Sequence, residues 1–335
     1  MQLSSIKNLS FNKINFNTRK NNYVKLAPLA YDSVSFQGKP QIKTNSDNVR
    51  KANNLGKRTL EQLQSGKTKQ ETLALLLEEC PELSVKSIDE LQKTEGTSYY
   101  AFFTHKISKD FAPINSVLYL NLSEEKGNEH SDYFYASDLA HEYTHALQAL
   151  NGDIMTQIRD MSSNDKKMAE LIGGFGGSIF SYFDNAAQTQ AVLKNLSGYD
   201  KSQILRYGHV VPRKQDVDEK TFLKNLGYKN FGDYAKYVNN LFDKCFDLAC
   251  AQVETSSAEN VLPELKELYL TLKAQGRIEE LRPVVKKYCI MQAQGEKEAY
   301  TTEAEFARRY CTTKSSINLD NFVMYYSLLE KALER

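Results

Sequence analysis

Residues 137–150 read SDLAHEYTHALQAL, and inside them His141-Glu142-Tyr143-Thr144-His145 spell H-E-x-x-H. The run contains no Gly or Pro and is rich in helix formers. Leu139, Tyr143, Ala146, Leu147 and Leu150 recur at helical spacing as one apolar stripe, while His141, His145 and Gln148 fall on another face. Residues four apart on a helix share a face, so the two imidazoles can reach one metal ion. Glu142 lies one step round the helix, within reach of a water on that metal. The spacing joins two zinc ligands to a general base. A surface helix with two accidental histidines is the competing reading, and the separate apolar face argues against it. Ser137 or Asp138 is expected to cap the helix and Asn151-Gly152 to stop it.

The 335 residues are 41% hydrophobic and 11% aromatic, enough for one large domain or two lobes. Basic and acidic residues nearly cancel, for a net charge of +1, so no nucleic-acid partner is implied. No stretch approaches the roughly 18 apolar residues of a membrane span, and the chain reads as soluble. The five cysteines form no C-x-x-C spacing, which favours free thiols and a reducing compartment. A disulfide among Cys245, Cys250, Cys289 and Cys311 is the alternative.

Residues 1–48 are rich in Asn, Lys and Ser with isolated aromatics, and are expected to form a disordered leader. They lack the apolar core of a secretory signal. Cytoplasmic residence is therefore favoured, with non-classical secretion as the alternative. Residues 49–335 are expected to form the folded domain. Its smaller β-containing part spans about 95–152 and its helical part about 153–335. Helices are expected over NVRKANNLGKRTLEQLQSG and KTKQETLALLLEECPEL, with a short one over SVKSIDELQK. Two β-like runs follow, SYYAFFTHKI and SVLYLNLSE. EKGNEHSD reads as a loop before the motif helix. Beyond Gly152 the pattern is helical, with a flexible point expected at GGFGGSIF (173–180) and a loop at 205–220.

A catalytic zinc ion usually has three protein ligands and one open position. No histidine stands at the position where H-E-x-x-H-x-x-G-x-x-H would place one; Asn151 does. A glutamate on a later helix is the better candidate, and residues 295–307 read GEKEAYTTEAEFA. Together with H-E-x-x-H this segment resembles the glutamate helix of the gluzincin metallopeptidases. Glu296 matches the ligand position and Ala299 the small residue three positions later. Tyr300 stands where many members carry Asp or Asn, a departure that removes the usual carboxylate behind the first histidine. Glu303, one turn on, is the substitute. Glu298 is the runner-up ligand. It lies about 200° round the helix from Glu296, so the two cannot face one metal together.

The resemblance covers about 30 residues. It implies an α+β, mostly helical, zincin-like fold, with a small sheet above the motif helix and a helical C-terminal lobe carrying Glu296. SVLYLNLSE is the expected edge strand for an extended peptide. It further implies a zinc-dependent metalloendopeptidase acting on a peptide or protein substrate, with one catalytic zinc and Glu142 as base. Tyr300, Tyr310, Glu303 and His209 are candidates to support a histidine or to donate to an oxyanion, and packing is the alternative for both tyrosines. Two other readings compete. One is a zinc-binding interaction protein with an inactive zincin fold. The other is a secreted effector protease acting on one partner protein.

Overall fold

The computed structural model describes residues 46–89, 101–123, 129–186, 218–256, 263–310 and 317–335. They form α1 (Ser46–Gln64), α2 (Lys69–Glu79), β1 (Ser84–Ser87), β2 (Ala101–Ile107), β3 (Pro113–Leu120) and α3 (Glu129–Leu150). There follow α4 (Asp153–Met161), α5 (Lys166–Ala186), α6 (Glu219–Asn225) and α7 (Phe231–Thr255). The chain closes with α8 (Pro263–Ala274), α9 (Ile278–Tyr310) and α10 (Ile317–Leu333). The fold is α+β and mostly helical, with one small mixed sheet. No helix among the described residues is long and apolar enough to cross a membrane. Cys80, Cys245, Cys250 and Cys289 are free thiols.

Local chemistry sets several boundaries. Thr68 and Glu71 form a capping box at the start of α2, each side chain accepting from the other's backbone N–H. Asp218 and Asn230 cap α6 and α7 in the same sense. Gly152 adopts φ +82°, which stops α3 and turns the chain into α4.

The sheet order is β1-β3-β2, with β1 parallel and β2 antiparallel to β3. Two expectations change here. SVKSIDELQK does not begin as a helix, because Ser84–Ser87 pair with Val117–Leu120 as a strand. Four residues are too few for periodicity to reveal the pairing that a neighbouring strand imposes. SVLYLNLSE is not an edge strand either; β3 is central, and β2 is the edge that meets the motif helix.

The motif helix starts at Glu129 rather than near Ser137. Its extra turns bury Tyr133 against Phe306 and Leu60, and Tyr135 against the sheet core. The run 173–180 is no hinge but the interior of the continuous helix α5. A Cβ on Gly176 would stand 2.2 Å from the Tyr288 ring, so this glycine permits close packing of α5 on α9.

The expected leader lies outside the described residues up to residue 45. Its last three positions belong to α1, where buried Asn48 accepts from Asn151 Nδ2 at 2.6 Å. Apolar residues of α1, α2, β3 and α3 share one core, so the surroundings of the sheet begin near residue 46 rather than 95. A second, larger core joins α5 to α10. The helix α9 runs between the two, packing on α1, α3, α5 and α10.

Candidate metal centre

Motif helix α3 supplies His141 and His145, and α9 supplies Glu296. One ligand atom from each of the three lies within 4.8 Å of the other two. His145 Nε2 is 3.5 Å from Glu296 Oε1, and His141 Nε2 is 3.8 Å from Glu296 Oε2. These separations exceed an ordinary hydrogen bond. They match the edge of a coordination tetrahedron, which is about 3.4 Å for ligand bonds near 2.1 Å. The donor set of two imidazoles and one carboxylate therefore fits a divalent cation. Their side chains are 11%, 19% and 22% exposed, so all three are largely buried with some solvent contact left.

Each imidazole is held from behind. His141 Nδ1 lies 3.1 Å from Glu303 Oε2, and His145 Nδ1 lies 3.0 Å from Gln148 Oε1. Both acceptors call for a proton on Nδ1, which leaves each Nε2 lone pair free for a metal. The Gln148 amide is oriented in turn, since its Nε2 donates to Gly295 O at 3.1 Å. A Cβ on Gly295 would meet Gln148 Oε1 at 3.2 Å, so the bare glycine lets this side chain lie flat on α9. The two helices are also tied directly, with Thr144 Oγ1 donating to Thr302 Oγ1 at 2.9 Å.

Glu142 is outside the ligand group. Its carboxylate accepts from the backbone N–H of Phe103 on β2, the edge strand. Burial pushes its pKa up to about 7, against the pull of His141 and of that N–H. Burial also raises Glu296 to about 8, aided by the negative charge of Asp184. Burial opposes a charge on His141, yet Glu303, Glu142 and Glu296 raise its pKa to about 10. His145 moves the other way, to about 3, through burial and the neighbouring His141.

Glu298, the alternative ligand, is not in the metal group. Tyr300 stands edge-on to the His141 ring, with centroids 4.6 Å apart, and lies flat on Phe322 at 4.5 Å. It walls His141. Tyr310 packs on Phe306 in the cluster that contains Leu60 and Leu319. His209 lies outside the described residues. His105 is buried in β2 against Phe103.

Sequence reading missed four contributors. Gln148 shares the histidine face of the motif, and that position was its only signal. The Phe103 amide depends on the sheet. Asp184 and Tyr326 come from α5 and α10, and no spacing relates them to the motif.

No protein-family model matches the chain, and no curated protein or solved structure matches it at a significant level.

Proposed function

We propose that this chain is a metal-dependent hydrolase, and within that class a zinc metallopeptidase of the gluzincin type. One observation carries the reading: a helical His-x-x-x-His pair and Glu296 converge at tetrahedral-edge distances while the intervening Glu142 stays out of the ligand set. Two nitrogens and one carboxylate suit zinc, and a group of three ligands among the described residues suits catalysis rather than a closed four-ligand structural site. The ion, when bound, would supply Lewis acidity for water and for a peptide carbonyl.

The remaining work falls to the chain. Glu142 takes the proton of the attacking water and returns it to the leaving amine. Its pKa near neutrality suits both transfers. Glu303 and Gln148 hold the two imidazoles in the ligating orientation. Strand β2 offers an edge beside Glu142 along which an extended peptide can align by main-chain hydrogen bonds. The test is hydrolysis of a mixed peptide library by the purified chain, stopped by chelation and restored by one equivalent of zinc. Zinc-bound protein that cleaves nothing would favour the interaction-protein reading instead.

A further inference from the structure

We propose that the Thr144–Thr302 hydroxyl pair is a positioning device for the metal centre, setting the register at which α9 presents Glu296 to His141 and His145. The inference rests on the metal-site reading above and adds to it two residues that are not themselves ligands.

The candidate ligand set spans two helices. His141 and His145 are fixed relative to each other by the α3 backbone, about one turn apart. Glu296 comes from α9, so its place depends on where α9 sits along α3. The cross-helix pairs are His141–Glu303, Thr144–Thr302, His145–Glu296 and Gln148–Gly295, an antiparallel order. Three of the four involve a candidate ligand or the side chain that holds one. Thr144–Thr302 stands apart from ligation. Its hydroxyl oxygens are 2.9 Å apart, and both residues are fully buried. Thr144 directly precedes His145 and Thr302 directly precedes Glu303, so a shift of either hydroxyl carries a residue of the centre with it.

Apolar packing alone does not fix such a register. Hydrophobic burial is non-directional, whereas a hydrogen bond weakens steeply outside a narrow range of distance and angle. Helix α1 closes the seam from behind. A Cβ on Gly56 would stand 2.9 Å from the Phe306 ring of α9, 3.0 Å from Ala136 O and 3.1 Å from the Ala140 Cβ of α3. The bare glycine therefore lets α1 press on both helices at once. Away from water the hydroxyl bond is electrostatically stronger. Each hydroxyl also has an acceptor within its own helix. Ala140 O lies 2.9 Å from Thr144 Oγ1, and Glu298 O lies 3.2 Å from Thr302 Oγ1. Removing one hydroxyl thus leaves the other a partner, and the loss falls on register rather than on an orphaned donor.

The experiment compares wild type with Thr144→Val, Thr302→Val, the double variant and Thr144→Ser in the full chain. Valine keeps the branched shape and removes the hydroxyl, whereas serine keeps the hydroxyl. Zinc affinity is measured by chelator competition. The visible spectrum of the cobalt-loaded chain reports ligand geometry, and thermal unfolding of the metal-free chain reports stability. Each valine variant should lose about tenfold in zinc affinity. The double variant should lose no more than either single one, because the same bond is removed in all three. The cobalt bands of the valine variants should weaken and shift, while the metal-free melting temperature moves by about 4 °C or less. Thr144→Ser should keep the wild-type affinity and spectrum. Unchanged affinity and spectrum in both valine variants would overturn the proposal. So would a loss of affinity that tracks a loss of metal-free stability with the cobalt bands unchanged. Absence of zinc binding in wild type would overturn the metal-site reading and this inference together. Peptide hydrolysis is scored separately on wild type. Zinc bound with the expected variant effects but without hydrolysis would support this inference and remove the peptidase reading alone.

Discussion

Glu303 Oε2 lies 3.1 Å from His141 Nδ1, and Glu303 follows Glu296 by seven residues on α9. Seven residues are close to two helical turns, so one helix face presents both a candidate metal ligand and the carboxylate that orients another candidate. Tyr300, between them, walls the same histidine with its ring. The gluzincin pattern places a carboxylate four residues after its ligand, whereas in this chain Glu303 stands seven residues after Glu296. Glu303→Ala should therefore keep the fold and weaken zinc binding by about 10–100-fold. Gln148→Ala should have a similar but smaller effect through His145. Competition with a chelator of known affinity measures both, and unchanged zinc affinity in Glu303→Ala would remove its assigned role.

Metal content should be one zinc per chain. His141→Ala, His145→Ala and Glu296→Ala should each lose it, because each leaves two protein ligands. Glu298→Ala should stay within about tenfold of wild type, the lower end of effects from residues that do not ligate. Elemental analysis by mass spectrometry decides, and a larger loss from Glu298→Ala than from Glu296→Ala would move the site by two residues.

Glu142→Gln should retain zinc and lose hydrolysis by about 10²–10⁴-fold, the usual size of a general-base contribution. The substitution keeps the side chain's shape and its acceptor oxygen for the Phe103 N–H. Concurrent loss of metal would show Glu142 to be a ligand.

Zinc affinity should rise with pH. In the metal-free site His141 stays protonated up to about pH 10 and Glu296 up to about pH 8, for the reasons given above. Both must release protons to ligate, so metal and protons compete. Between about pH 6 and 7.5 the affinity should climb by roughly one to two decades per pH unit, one decade for each proton released. A flat profile would contradict the proton inventory of the site.

Two neighbouring glycines should respond in opposite directions. Gly176→Ala forces a Cβ to within 2.2 Å of Tyr288 and should destabilise the fold by about 1–3 kcal/mol. A Cβ on Gly177 meets nothing within 4 Å, and Gly177→Ala should stabilise α5 by about 0.5–1 kcal/mol. Denaturant unfolding separates the two, and equal effects would argue against the close α5–α9 packing.

The sequence by itself determined the elements whose information is local. The helical placement of His141, Glu142 and His145, their separation from an apolar stripe, and the stop at Gly152 all follow from a 3.6-residue period and backbone sterics. The same period keeps Glu296 and Glu298 from facing one metal together, while the preference for Glu296 came from the gluzincin resemblance. Tertiary structure alone decided the rest. Ser84–Ser87 became a strand because β3 offered hydrogen bonds that a four-residue run cannot announce. The sheet edge over the motif helix fell to β2, since strand order is a property of pairing partners and not of any one segment. Within the glycine-rich run, Gly176 gives up its side chain to Tyr288, more than a hundred residues later, a contact that no local pattern announces. Tyr326 came to lie on Tyr300 and to donate to Asp184 through contacts among α5, α9 and α10, and no periodicity encodes a distance between helices.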